Sequence, residues 1–445
     1  MNDLIIRNAL VVEGTSVLPS DVAVKDGQIA AVGPSLSGSA RREIDASGLH
    51  LFPGFVDTHV HFNEPGRADW EGLARGSAAL ALGGGTCFFD MPLNSHPPVL
   101  DRGQFEAKRG IASQKSILDF ALWGGICPGR TGRLDEMAEA GAVGFKAFLC
   151  PSGIAEFPES DPATLREAMK RARRWNLPVA VHAEDPVTLA KVRSAGVSMR
   201  DFLLSRPKAA EVEAVRRACE IAGETGASLH VVHVSCAGAL EVIVHARGMG
   251  ADVTAEVCPH HLLFHAGDAV RIGARAKCAP PLRQQEDVWE LWKHLLAGEV
   301  TSVGSDHSPA PPEWKAGADF FAVWGGISGC QHAFPAFLGA LWRRAPGQLA
   351  DAAGWLARNP AARFRLGRKG RLAPGYDADL TLVKFGTFPP IAAGELVYRH
   401  PLSLYEGFRP SCRVTHVFRR GEGIVLNGAL FPPARPGVFV RPDPT

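Results

Sequence analysis

Apolar and polar positions alternate along this chain with two different rhythms. Over residues 4–52 the apolar runs are short (4–6, 10–12, 22–24 and 29–32), and turn signals such as Asp26-Gly27 and Gly33-Pro34 separate them. That spacing predicts a small β unit. From Phe52-Pro53-Gly54 to about residue 365, short apolar runs end in polar residues and alternate with stretches of helical period. Residues 86–90, 143–148, 179–182, 229–233, 253–256 and 301–304 read as strands, and 54–57 and 120–123 complete a set of eight. Eight βα units over about 310 residues predict an α/β fold, a closed (β/α)8 TIM barrel. After Asn359-Pro360 the β rhythm returns at 379–383, 414–418 and 424–426. Neither end has an evident core of its own, so the two are expected to meet in one small β-sandwich. The expected division is 1–52 and 366–445 for the sandwich and 53–365 for the barrel.

Composition narrows the partners. The chain is 46% hydrophobic and 21% charged, enough for a sizeable core, and 48 Lys+Arg stand against 46 Asp+Glu. A formal charge of +2 argues against a polyanion-binding protein. The densest basic cluster, Lys170-Arg171-Ala172-Arg173-Arg174, reads as the solvated face of one helix, so no nucleic-acid partner is expected. Asp3, Arg7 and Glu13 interrupt the first twenty residues, which predicts neither a signal peptide nor a membrane partner and hence a cytoplasmic protein. Nine cysteines without CxxC spacing predict reduced, mostly buried thiols rather than disulfides or a thiolate zinc site.

The candidate chemistry lies at strand ends. His59 and His61 are two apart on a strand and face one side, an arrangement that favours metal binding. His182, His233 and Asp306 each close a later run, so four imidazoles and a carboxylate converge on the rim where α/β barrels place active sites. His230, three residues from His233, faces the other way, while His260 and His261 are candidates for orienting ligands or substrate. Lys146 sits inside an apolar strand. Its ammonium can snorkel to the rim; alternatively its neutral amine can capture carbon dioxide as an anionic carbamate.

Taken together, His59-Val60-His61, Lys146, His182, His233 and Asp306 resemble the amidohydrolase superfamily, specifically its cyclic-amidase branch of dihydroorotases, hydantoinases and allantoinases. The resemblance covers nearly the whole chain and includes the segment from Lys369-Gly370-Arg371 to Asp379-Leu380. It implies that Lys146 is N-carboxylated and bridges two divalent ions, His59, His61 and Asp306 holding one and His182 and His233 the other. Zinc is the expected metal, with cobalt, manganese or iron as alternatives, and a homotetramer is the implied assembly. Asp306 is the implied catalytic proton carrier.

Within the branch the details favour the allantoinases, which open a neutral hydantoin ring bearing a ureido tail during purine breakdown. Asn63 stands where dihydroorotases carry an arginine for a substrate carboxylate, and an asparagine suits an amide-like group. Asn94, Cys278, Pro281 and Gly326 lie in segments that also resemble allantoinases and are expected to bind substrate. Hydantoinases place a tyrosine shortly after the bridging lysine; here all three tyrosines lie beyond residue 375, which leaves Ser152 or backbone amides to hold an oxyanion. The alternatives are a dihydroorotase or hydantoinase, or a non-catalytic structural homologue.

Overall fold

A computed structural model describes residues 1–192, 196–431 and 433–444. The N-terminal strands are β1 (Asn2–Glu13), β2 (Ser16–Lys25), β3 (Gln28–Gly33), β4 (Ala40–Asp45) and β5 (His50–Pro53). Where the pattern suggested two short strands before residue 13, the chain forms one, with a register shift between Ile6 and Ala9 and left-handed Asn8 at φ 60° absorbing the interruption. Strand β4 was not legible because its Arg41-Arg42-Glu43 face is exposed and carries no apolar alternation.

The middle of the chain supplies parallel strands β6 (Phe55–Val60), β7 (Gly85–Asp90), β8 (Asp119–Leu122), β9 (Gly124–Gly125), β10 (Phe145–Phe148), β11 (Val179–His182), β12 (Leu229–Val231), β13 (Val253–Val257) and β14 (Ser302–Val303), separated by helices. All eight runs read from the sequence are present, most within two residues of their expected bounds. They form a three-stranded sheet, β6-β7-β8, and a six-stranded one, β14-β13-β12-β11-β10-β9. Single backbone contacts join the edges: Val143 N donates to Leu122 O at 3.1 Å, and His61 N donates to His307 O at 2.8 Å. These strands are buried on both faces, hence their continuous apolar runs.

The C-terminal strands are β15 (Leu380–Phe385), β16 (Cys412–Arg419), β17 (Glu422–Leu426) and β18 (Ala429–Leu430). The two chain ends do meet. Strand β15 pairs antiparallel with β5, Leu382 opposite Leu51, and the result is one nine-stranded hydrogen-bonded sheet. Leu4, Ile6, Val22 and Val24 from one end share a core with Leu380, Leu382 and Phe418 from the other. The last residues turn back to the parallel strands: Phe120 N donates to Val438 O and Val440 N to Phe120 O, so 437–440 run beside β8. All nine cysteines are buried and free. Among the described residues no helix is long and apolar enough to cross a membrane.

Candidate metal centre

Residues from five strands converge at the C-terminal ends of the parallel sheets. His59 lies in β6, and His61 follows it just past the strand; their Nε2 atoms stand 3.2 and 3.5 Å from Asp306 Oδ1. His182 ends β11, and its Nδ1 is 3.0 Å from His233 Nε2. The rings of His59 and His233 are 5.4 Å apart, so the two groups adjoin. His233 and Asp306 lie two and three residues beyond β12 and β14 and adopt left-handed backbone, φ 40° and 45°. Such conformations cost roughly 1–3 kcal/mol each and persist where the surroundings over-determine them, commonly at functional sites.

Lys146, in β10, is fully buried, and among the described residues its Nζ has no hydrogen-bond partner. Burial lowers its amine to about 8, only partly opposed by Asp306 and Glu256. The snorkelling alternative therefore does not describe this side chain, because its amine never reaches the rim. Burial lowers His61, His182 and His233 as well, and the nearness of Lys146 adds to the effect on the latter two. Burial acts to raise Asp306, but His59 and His61 outweigh it and hold this carboxyl well below the usual range.

Two carboxylates that sequence reasoning passed over fix the imidazoles. Glu256, in β13, takes His59 Nδ1 at 2.8 Å and the Thr58 hydroxyl at 2.7 Å. Glu184 takes His182 Nε2 at 2.8 Å. Each pairing leaves the opposite ring nitrogen facing the centre, the arrangement by which carboxylates orient metal-binding histidines. A carboxylate inside an otherwise apolar run was the available signal for Glu256. His230 stays out of the centre, its Nδ1 2.8 Å from Thr254 Oγ1 and its Nε2 3.8 Å from Glu256. His261 Nε2 donates to Pro280 O at 3.1 Å, and His260 is buried without a hydrogen-bond partner among the described residues.

A cavity of about 350 Å³ opens above this group. Asn94, Ser152, Cys278 and Gly326 line it together with His59, His61, His182, His233 and Asp306. Asn94 Nδ2 donates to Ser308 Oγ at 3.3 Å, and Ser152 Oγ is already committed to the Phe157 and Ile154 carbonyls. A Cβ on Gly326 would meet Ser308 O at 2.3 Å, so this wall admits only glycine. Asn63 and Pro281 are buried but do not line the cavity; Asn63 Nδ2 donates instead to Pro309 O at 3.2 Å.

The sequence matches the model of the Amidohydrolase family over residues 50–424. The chain belongs to that family. It is similar to an allantoinase from Rubrobacter xylanophilus, 49% identical with 99% of this chain and 98% of the relative covered. Similarity to an allantoinase from Solibacter usitatus is 50%, with 96% of each chain covered. Among solved structures it is similar to L-hydantoinase from Arthrobacter aurescens, with a TM-score of 0.93, 30% identity, and 97% and 98% of the two chains covered. Amidohydrolase membership implies a binuclear divalent metal centre. The residues fit that group: among the described residues His61 Nδ1, His233 Nδ1 and Lys146 Nζ are buried without a hydrogen-bond partner, beside an ionised Asp306.

Proposed function

We propose that this amidohydrolase is an allantoinase, hydrolysing the ring amide of allantoin to allantoate. The observation that carries the reading is the near-full-length similarity, 49% identity, to the Rubrobacter allantoinase. His59, His61 and Asp306 would hold one divalent ion and His182 and His233 the other, with Lys146 as the bridging carbamate formed from its amine and carbon dioxide with loss of a proton. Zinc suits this imidazole and carboxylate donor set; cobalt, manganese and iron are the alternatives. When bound, the ions supply an activated water and polarise the scissile carbonyl.

The chain's own residues do the rest. Asp306, ionised at neutral pH, accepts a proton from the attacking water at its free carboxylate oxygen. As the carbonyl carbon gains the water oxygen and loses the ring nitrogen, Asp306 returns its proton to that nitrogen, and the new carboxylic acid releases the remaining water proton to solvent, leaving the open carboxylate. Glu256 and Glu184 keep His59 and His182 in one orientation throughout. Asn94, Cys278 and Gly326 bound the space for the ring.

We further infer that the three- and six-stranded parallel sheets make one closed (β/α)8 barrel in which β8 and β9, separated only by Trp123, are two pieces of one strand, a reading supported by the two edge contacts. On this reading 53–365 are the barrel, and 1–52 and 366–445 a β-sandwich. A cytoplasmic homotetramer is the assembly we infer, checked by light scattering on the purified protein. The decisive functional test is hydrolysis of allantoin, dihydroorotate, hydantoin and dihydrouracil side by side, with metal content measured on the same sample. Allantoin should be turned over fastest by protein holding about two ions per chain; preference for dihydroorotate, or a metal-free inert chain, would reject the reading.

A further inference from the structure

Away from the histidines, the cavity wall is cationic and aromatic. Arg206 and Lys277 both line it, beside Phe202, Phe321 and Trp314. Arg206 grips Glu184 with two of its nitrogens, Nε at 3.0 and 3.2 Å and Nη2 at 2.6 Å. Among the described residues its Nη1 has no hydrogen-bond partner. Lys277 Nζ donates to the Val323 and Phe321 carbonyls and stands 4.5 Å from the centre of the Phe202 ring. An ammonium has three N–H bonds, so one remains.

Glu184 sets the plane of the guanidinium, and the same carboxylate holds His182. The free Arg206 edge is therefore tied to the metal-binding wall through a single carboxylate. Glu184 also neutralises Arg206, so what faces the cavity is two spare donors carrying about one net positive charge. Such a pair suits a carbonyl oxygen that accepts from both donors. The ring must sit against the histidines for its carbonyl to react, which leaves the tail to reach the remaining wall. Asn63, to which the sequence pattern gave this task, donates its Nδ2 to Pro309 O, keeps its Oδ1 without a partner among the described residues, and does not line the cavity.

We propose that Arg206 and Lys277 form the binding subsite for the ureido carbonyl of the substrate, a role that rests on the allantoinase reading. The guanidinium edge and the ammonium donate to that oxygen, while Phe202 and Phe321, packed edge to face with ring centres 6.0 Å apart, supply the apolar part of the same wall.

The test uses metal-loaded enzyme and two ligands that share a ring, allantoin and unsubstituted hydantoin, the second read as a competitive inhibitor of allantoin hydrolysis. Lys277→Met should lower kcat/KM for allantoin about 10- to 100-fold, mostly through KM, the size expected for a lost charged hydrogen bond. Its inhibition by hydantoin should stay within about threefold, because the bare ring makes no tail contact. Arg206→Met should show the same split, with metal content measured alongside because it also frees Glu184. Equal losses for allantoin and hydantoin in Lys277→Met, at unchanged metal content, would overturn the subsite alone. A parent enzyme that prefers dihydroorotate, with both variants losing that preference, would assign the pair to a carboxylate and overturn it too. Absence of any allantoin turnover by the parent would instead reject the function on which the subsite rests.

Discussion

At the scale of single residues, the centre depends on groups whose charge states are set by burial. On the proposed reading Lys146 becomes a carbamate anion, and burial, which lowers its amine to about 8, favours the neutral form that takes up carbon dioxide. Lys146→Ala should therefore lower both metal content and turnover, and small carboxylic acids should restore part of each by standing in for the carbamate. Full activity with two ions in Lys146→Ala would falsify the bridging role. Asp306→Asn keeps one ligating oxygen but loses the proton acceptor. Turnover should fall by at least about 10²-fold, the usual worth of general acid–base help, while metal is partly retained; kinetics paired with metal analysis of the same preparation check this. Glu256→Gln addresses a different job. It leaves every ligand in place but weakens the grip on His59 Nδ1, and such changes cost about 10- to 100-fold in metal affinity, measurable by competition with a chelator.

Individual elements place these residues by ending where they do. Strands β12 and β14 stop two or three residues short of His233 and Asp306, and a left-handed turn swings each side chain inward. Strand alternation, which assumes extended backbone, identifies these positions but cannot describe their directions. The loop before the helix Leu73–Leu82 shows another element-scale dependence. Its Glu71 is fully buried, accepts from Arg399 N at 3.2 Å, and lies 3.9 Å from His307 Nε2. Burial raises its carboxyl from 4.5 to about 8 despite Arg399. A carboxyl protonated in the folded chain but ionised in the unfolded one favours folding fully below 4.5 and loses that contribution as pH rises through about 8. Unfolding free energy of the parent should therefore fall with pH across that window more steeply than that of Glu71→Gln. Parallel slopes from denaturant titrations at pH 5 and pH 8 would show that Glu71 is already ionised.

Across the whole molecule, a buried charge cluster joins the parallel strands to the nine-stranded sheet. Lys369 Nζ meets Asp119 at 2.5 Å, Asp379 at 2.7 Å and Asp377 at 3.0 Å, and Arg420 adds a second cation on Asp119 at 2.7 Å. Asp119 belongs to β8, whereas Lys369, Asp377, Asp379 and Arg420 lie around the C-terminal strands. Removing one member of a buried network leaves uncompensated charge, typically costing about 3–5 kcal/mol. Lys369→Met should lower the melting temperature strongly while leaving KM for substrate unchanged in whatever protein remains folded. A variant as heat-stable as the parent would show that the cluster does not depend on Lys369.

Lys146 joins the site only through the family resemblance, whereas the strand succession and the strand-end positions of His59, His61, His182, His233 and Asp306 are legible in the chain's own pattern. These are local signals, since a period of two within a strand and a polar residue at its end need only a few neighbouring positions to be read. Tertiary structure decided which partner each group received. Glu256 lies 197 residues from His59 and Asp119 lies 250 from Lys369, separations over which no periodic pattern carries information. It also decided that Asn63 turns to Pro309 while Arg206 and Lys277 face the cavity, because whether a loop residue reaches a site depends on how loops from different strands pack over it.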